Sequence, residues 1–140
     1  MSDLTPPLCA LFFTLGESLA VTVFCLTDYT CCGDADAGWG CAYRALQTCM
    51  SCLKGRVPAM RDAVIPNLLG IQTKLHKLGA IPASDVGSER WIEPPEAAAF
   101  LEGLHGVPCH STEFKTSADT LSAFEDAMWL HFRTHRTCMM

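Results

Sequence analysis

The spacing of apolar residues along the chain predicts helices joined by polar loops. From about Cys41 to Lys54 apolar side chains recur at helical spacing, and Gly55 ends this predicted helix. A second helix is predicted from Pro66 to Leu78, because proline suits the first turn of a helix. The predicted buried stripes are Ala42, Ala45, Leu46, Cys49 and Leu53 in the first helix and Leu68, Ile71, Leu75 and Leu78 in the second.

Two further helices and three strands complete the predicted pattern. A third helix, at about 95–105, opens with Pro95 and Glu96, and a fourth, at about 118–134, follows the candidate caps Thr116 and Ser117. Strands are predicted at 19–26, which is rich in β-branched residues, at 106–114, and from the terminal "TCMM" onward. One face of the fourth helix carries Leu121, Phe124, Met128 and Phe132. The mixture favours an α/β or α+β domain.

The apolar start of the chain, residues 1–27, does not predict a membrane span. Gly16, Glu17 and Ser18 interrupt it, whereas a spanning helix needs about 20 continuous apolar residues. A signal peptide is a weaker alternative, since no basic region precedes the apolar stretch. We therefore expect a strand of the domain within 1–27 and no membrane insertion.

Composition and charge narrow the classes of partner. The chain has 140 residues, 49% of them hydrophobic, and a net charge of −5, which suits a single packed domain. Its ten Lys and Arg residues form no basic stripe, so nucleic acid is not an expected partner. Nine cysteines are an odd count in a chain of this length, which favours reduced thiols and a cytoplasmic location over a disulfide framework.

Cys41 differs from the other cysteines because it follows "GWG" and begins a predicted helix. Unpaired N–H groups and the positive end of the helix dipole favour a thiolate at such a position. The same N–H groups can stabilise the oxyanion that forms when a thiolate attacks a carbonyl. Gly38 and Gly40 permit a sharp turn, and Trp39 can exclude water or clamp a narrow chain end. These features predict a nucleophilic cysteine, with a small buried thiol as the alternative.

Two separated motifs resemble the ubiquitin-fold-modifier-specific proteases, which are papain-like cysteine peptidases. The first is "DAGWGCAYRALQT", residues 36–48, and the second is "GIQTKLHKLGAIPASDVGSERWIEPPEA", residues 70–97. The spacing onward to "LHFRTHRTCMM" also fits, so the resemblance covers about residues 28–140. Autophagy-related cysteine proteases share the Gly-Trp-Gly-Cys start, but the "CAYRALQT" and "VGSERWI" segments favour the modifier-specific family.

The resemblance implies a role for several residues. Cys41 would be the nucleophile and Tyr29, twelve residues earlier, would supply a hydroxyl to the oxyanion hole. Trp39, Gly40 and Trp91 would frame the channel for the glycine-ending tail of the modifier. Arg44 and Gln47 would hold neighbouring loops. The implied partner is the ubiquitin-fold modifier with its conjugates, the implied reactions are precursor trimming and removal of the modifier from lysines, and no cofactor is implied.

The general base of the family is missing from the sequence. The family carries its catalytic histidine in an Asp-Pro-His element, and neither Asp-Pro-His nor Asp-x-His occurs among these 140 residues. We do not expect any of the five histidines to serve as the base. The sequence therefore predicts the N-terminal half of a papain-like catalytic domain, incomplete at its C-terminus and without a competent active site.

Three other functions compete with this interpretation. Cys49-x-x-Cys52 has a spacing found in zinc sites, but it falls within a helix and a second well-spaced pair is missing. The same pair could be a redox dithiol, although Cys49 lies two turns inside the helix, away from its N-terminus. A non-catalytic module that binds the modifier without cleaving it is the third alternative.

Overall fold

A computed structural model describes the strands 8–15 and 18–25, residues 34–110, and the helix 118–135, with side chains at 122–134 in the last of these. The two strands, β1 (Leu8–Leu15) and β2 (Ser18–Cys25), pair antiparallel, with Leu8 opposite Cys25 and Leu15 opposite Ser18. β2, which overlaps the predicted strand 19–26, lies beside the first helix.

Helix α1 (Cys41–Lys54) has the bounds that the sequence predicts. Leu46, Cys49 and Leu53 of the predicted stripe are buried, whereas Ala42 and Ala45 are only half-buried. The buried face is wider than the stripe, since it also includes Tyr43, Arg44, Gln47, Met50 and Cys52. The two buried polar side chains, Arg44 and Gln47, must find partners inside the protein, because an unpaired buried polar group is costly.

Helix α2 (Leu68–Lys77) begins two residues later than predicted because Asn67 caps it. The Asn67 side-chain oxygen accepts a hydrogen bond from the Gly70 N–H at 2.9 Å. Leu68, Ile71 and Leu75 are buried as predicted. The prediction for Leu78 was wrong, since Leu78 follows the helix and is exposed.

Helix α3 (Pro94–His105) starts with a capping box and ends at a left-handed glycine. The Glu93 N–H donates to the Glu96 side chain at 3.0 Å, while the Glu93 side chain accepts from the Glu96 backbone. Gly106 has φ of 62°, a conformation that glycine adopts without steric cost.

Helix α4 (Ala118–His135) spans the predicted range, but the described members of its apolar face, which exclude the Leu121 side chain, are not deeply buried. Phe124 is exposed and Met128 and Phe132 are half-buried. The strand predicted at 106–114 is wrong for residues 106–110, which have no regular secondary structure. Thr116, Ser117, residues 111–114 and the terminal "TCMM" lie outside the described residues.

One hydrophobic core holds α1, α2 and α3 together with the loops between them. Its largest fully buried side chains are Tyr43, Phe100, Leu46, Met50 and Met60. The other buried apolar members of this cluster are Leu53, Leu68, Ile71, Leu75, Ile81, Ile92, Ala97, Leu101 and Val107. Ile81 and Ile92 lie in the connection between α2 and α3, so this long loop is anchored at both ends.

The described elements are therefore helical apart from one antiparallel hairpin. A central sheet is not among them, and the α/β arrangement is not confirmed by these elements. Among the same residues, no helix combines the length and the apolar character that a membrane span requires.

The core predicts that two leucines of α2 differ sharply in their effect on stability. Leu75→Ala should lower the free energy of unfolding by about 2–5 kcal/mol, because Leu75 is fully buried and its loss leaves a cavity. Leu69→Ala, on the same helix but half exposed, should change it by only about 0.5 kcal/mol. Urea unfolding followed by circular dichroism measures both, and equal effects would contradict this core.

Candidate active site

Cys41 is the first residue of α1 and its side chain is exposed. The first bond within the helix is donated by the Arg44 N–H to the Gly40 carbonyl at 3.0 Å. The N–H groups of Cys41 and Ala42 therefore have no partner within the helix, as is usual for a first turn. An exposed thiol lies at the positive end of a fourteen-residue helix, beside unused backbone donors.

The turn that leads into Cys41 is built on Asp36. Its backbone carbonyl accepts hydrogen bonds from the N–H groups of Trp39 at 3.2 Å and Gly40 at 2.9 Å. Gly38, inside the turn, has φ of 92°, which favours glycine. Asp36 is fully buried beneath the turn.

Residue 40 must be glycine because the Asp36 side chain lies very close to its backbone, and not because of its backbone angles. A Cβ at this position would lie 2.6 Å from Asp36 Cβ and 2.8 Å from Asp36 Cγ, and closer still to Asp36 Oδ2. The buried carboxylate therefore packs directly against the backbone that precedes the thiol, and any side chain at residue 40 would displace it.

Arg44 neutralises this buried carboxylate from within α1. Its Nε donates to Asp36 Oδ2 at 2.8 Å, and its terminal nitrogens donate to Asp34 at 3.2 Å and to Gln47 Oε1 at 3.0 Å. Gln47 in turn donates to the carbonyl of Pro66 at 2.7 Å. Arg44 and Gln47 thus hold neighbouring loops, in agreement with the positions implied by the resemblance.

Trp39 and Tyr43 form an aromatic pair at the start of α1. Their ring centroids are 5.7 Å apart with an interplanar angle of 81°, which is an edge-to-face contact. The Trp39 Nε1–H donates to the Ala35 carbonyl at 3.2 Å, and the Tyr43 hydroxyl donates to the Arg90 carbonyl at 2.7 Å. Burial raises the pKa of Tyr43, although the hydrogen bond from Gln72 acts in the opposite direction. The Tyr43 hydroxyl therefore stays protonated and can donate a hydrogen bond at neutral pH.

The loop between α2 and α3 is held by Gln72 and Arg90, neither of which the sequence singled out as a site residue. Gln72, on α2, donates to Ser88 and accepts from Gly87. The Arg90 guanidinium donates to Asp85 at 2.7 Å and also to Glu96 of α3. A polar residue beside Ile71 on the buried side of a predicted helix is the signal that could have indicated Gln72.

A shallow cleft of about 220 Å³ lies between the turn before Cys41 and this loop. Trp39 and Asp34 line it from the turn before Cys41, and Gly87 and Ser88 line it from the loop. The complete set of lining residues is Asp34, Ala35, Trp39, Leu68, Leu69, Gln72, Gly87 and Ser88. The cleft offers an aromatic ring, small residues and backbone groups, which suit a narrow extended chain better than a bulky side chain.

The predicted site residues fall into three groups. Trp39, Gly40 and Cys41 are consecutive: Trp39 lines the cleft, whereas Gly40 and Cys41, the first residue of α1, are not among its lining residues. Trp91 is 58% exposed in the loop that Tyr43 and Arg90 anchor, and it is not one of the residues that line the cleft. Tyr29 lies outside the described residues.

His76 and His105 are two of the four histidines whose side chains the structure describes, and each contacts a residue other than Cys41. His76 Nδ1 lies 3.1 Å from the carbonyl of Ile81. His105 packs near Phe100, with its Nε2 buried, and burial together with the charge of Lys74 lowers its pKa. Within the described ranges, no group of three or more His, Cys, Asp or Glu side chains could hold a metal ion. Cys49 and Cys52 are buried within α1.

Comparison with known protein families shows which family the chain belongs to. The family model described as peptidase family C78 matches residues 17–140. The chain belongs to peptidase family C78. The match begins eleven residues before position 28, where the resemblance of the sequence motifs starts.

The names of similar curated proteins agree with this C78 assignment. "Probable Ufm1-specific protease 2" of Drosophila melanogaster is 36% identical over 105 residues, covering 75% of this chain and 17% of the relative. "Ufm1-specific protease 2" of Gallus gallus is 37% identical over 105 residues, covering 75% and 22%. "Ufm1-specific protease 1" of Mus musculus is 35% identical over 109 residues, covering 76% and 46%. The predicted resemblance is confirmed, and the chain spans less than half the length of each of these relatives.

The packing beneath Cys41 can be tested with two glycines that flank α1, Gly40 and Gly55. Gly40→Ala should lower the free energy of unfolding by about 1–3 kcal/mol, because the new Cβ overlaps Asp36. Gly55→Ala is the matched control. Its Cβ would meet only the Cys52 carbonyl at 3.7 Å, so the change should be neutral or stabilising by about 0.4–1 kcal/mol. Chemical denaturation measures the difference, and equal stabilities would disprove the close packing of Asp36 on residue 40.

Proposed function

We propose that these residues form the nucleophile-bearing part of a papain-like thiol protease that acts on Ufm1. The observation that carries the proposal is the exposed Cys41 at the N-terminus of α1, directly after a turn that borders a narrow cleft. The reactions would be maturation of the Ufm1 precursor and removal of Ufm1 from target proteins. The protein would act in the cytoplasm, where thiols remain reduced.

The geometry supports acyl transfer at Cys41. Attack by the thiolate on a carbonyl carbon moves negative charge onto the carbonyl oxygen, which must then be stabilised by nearby donors. The N–H groups of the first turn of α1 point out of the helix end and can supply this stabilisation. Tyr29 would add its hydroxyl as a second donor, as the family resemblance implies.

The cleft would receive the C-terminal tail of Ufm1. A tail that ends in glycine is narrow, and Gly87 and Ser88 leave room for such a chain opposite the Trp39 ring. Gly40 would let the tail approach the thiol closely. Trp91, exposed on the neighbouring loop, would contact the same segment from outside the cleft.

A general base is still required for turnover. In this mechanism the base takes the thiol proton and later returns a proton to the leaving amine. His76 and His105 are engaged elsewhere, and the 140 residues contain no Asp-Pro-His. We therefore expect the chain by itself to react with an electrophile at Cys41 without cleaving amide bonds efficiently.

A second candidate function, which the same cleft would serve, is a non-catalytic module that binds Ufm1. The two candidates differ in the chemistry of Cys41 and not in the cleft. A binding module would retain Ufm1 regardless of the reactivity of the thiol, whereas a protease segment would form a covalent bond through that thiol.

Labelling with an activity-based probe tests the proposal. Ufm1 carrying an electrophile in place of its C-terminal carboxyl should label Cys41, and Cys41→Ala should abolish labelling because the attacking sulfur is gone. Cys109→Ala is the control, since this half-buried thiol donates to the Val107 carbonyl at 3.4 Å and should not react with the probe. Intact-mass and peptide mass spectrometry give the site and the rate.

Other outcomes of this experiment are equally decisive. Binding of the probe without a covalent bond at Cys41 would favour the module that only binds Ufm1. If the probe neither binds the protein nor labels it, both functions are contradicted.

A further inference from the structure

Gln72 is a buried polar residue whose side chain bridges three parts of the protein. It is 1% exposed on α2, and each of its polar atoms has a partner. Its Nε2 donates to the Ser88 carbonyl at 2.9 Å and to the Tyr43 hydroxyl at 3.1 Å, while its Oε1 accepts from the Gly87 N–H at 2.7 Å. An amide is required here, because one end must donate and the other must accept.

The two bonds from Gln72 to the loop fix its backbone at the edge of the cleft. Gly87 has φ of 83°, so the loop turns sharply at the residue whose N–H the side chain holds. The next peptide carbonyl, that of Ser88, is held by the other end of the same amide. Gly87 and Ser88 both line the cleft, and a shift of either would change its width.

The bond from Gln72 to Tyr43 connects this loop to the opposite side of the cleft. The Tyr43 ring contacts Trp39, which lines that side, and the Tyr43 hydroxyl donates to the Arg90 carbonyl, further along the loop. Gln72 therefore hydrogen-bonds both to the Gly87–Ser88 backbone and to Tyr43, whose ring contacts Trp39. Networks of this kind are rigid when every member is satisfied.

We propose that Gln72 is a positioning residue that sets the width of the cleft for the C-terminal tail of the modifier. It does so by holding the Gly87–Ser88 backbone at a fixed distance from the Trp39–Tyr43 pair. This inference rests on the proposed function, since it assumes that the tail enters this cleft. Gln72 does not touch the thiol in this account, so it should affect tail binding and not the intrinsic reactivity of Cys41.

The test compares two isosteric changes of buried glutamines, Gln72→Glu and Gln47→Glu. In Gln72→Glu an oxygen replaces Nε2 and faces the Ser88 carbonyl, so the loop loses a donor and meets repulsion. Gln47→Glu is the matched control, because Gln47 is also buried but does not line the cleft. Each protein is treated with iodoacetamide and, separately, with Ufm1 carrying a C-terminal electrophile, and labelling of Cys41 is followed by mass spectrometry.

We expect Gln72→Glu to lower the second-order rate of labelling by the Ufm1 probe at least about tenfold, as the loss of a buried hydrogen bond implies. The iodoacetamide rate should stay within about twofold, because a small reagent does not use the cleft. Gln47→Glu should leave both rates within the same limit. When the labelling rate is measured at several probe concentrations, the variant should show weaker probe binding and an unchanged rate of the chemical step.

Four results would overturn the inference. An unchanged Ufm1-probe rate in Gln72→Glu would overturn it while leaving the proposed function intact. Equal losses in both variants, or a parallel fall in the iodoacetamide rate, would show a general effect on folding. Failure of the unaltered protein to react with the Ufm1 probe at Cys41 would overturn the proposed function and this inference together.

Tyr43→Phe decides the question if Gln72→Glu does not fold, as judged by circular dichroism. This variant keeps the ring against Trp39 but removes the hydroxyl that links Gln72 and Arg90. It should slow the Ufm1 probe by about three- to tenfold, as expected for one hydrogen bond, without changing the iodoacetamide rate. An unchanged Ufm1-probe rate would overturn the inference.

Discussion

The ion pair between Asp36 and Arg44 is the interaction on which the start of α1 depends. Asp36 is fully buried and its Oδ2 lies 2.8 Å from Arg44 Nε, so neither charge could be removed alone without a large cost. The same aspartate accepts the backbone N–H of Gly40 and packs against its Cα. The position of the first helical turn, and therefore of Cys41, is fixed by a charge pair beneath it.

A second polar network extends this arrangement to the loop between α2 and α3. Tyr43, two residues after Cys41, connects the first turn of α1 to this loop, because its hydroxyl donates to the Arg90 carbonyl. Arg90 is held in turn by Asp85 and Glu96, and these carboxylates raise its pKa although burial alone would lower it. The apolar core could not by itself specify this loop, because its residues 84–90 are polar or glycine except for Val86. Directional hydrogen bonds supply the specificity that hydrophobic burial lacks.

The sequence predicted the helices more fully than it predicted the site. Helical periodicity and end signals located α1 to α4 to within two residues, because those signals are local. The strand expected at 106–114 is wrong for residues 106–110, where Val107 follows the left-handed Gly106 and is buried in the core without strand pairing. Cys41 could be recognised from "GWGC", whereas the burial of Asp36 and the reach of Gln72 to Ser88 depend on contacts between distant elements. No periodicity encodes such contacts.

The most direct test of this account compares the reactivity of three cysteines on α1. Site-resolved alkylation by mass spectrometry, in buffer and in concentrated urea, measures Cys41, Cys49 and Cys52 in one experiment. In the folded protein Cys41 should react at least about tenfold faster than the two buried cysteines, and unfolding should bring the three rates together. Equal rates in buffer, or an advantage of Cys41 that persists in urea, would contradict the claim that the fold around Asp36 sets this thiol apart.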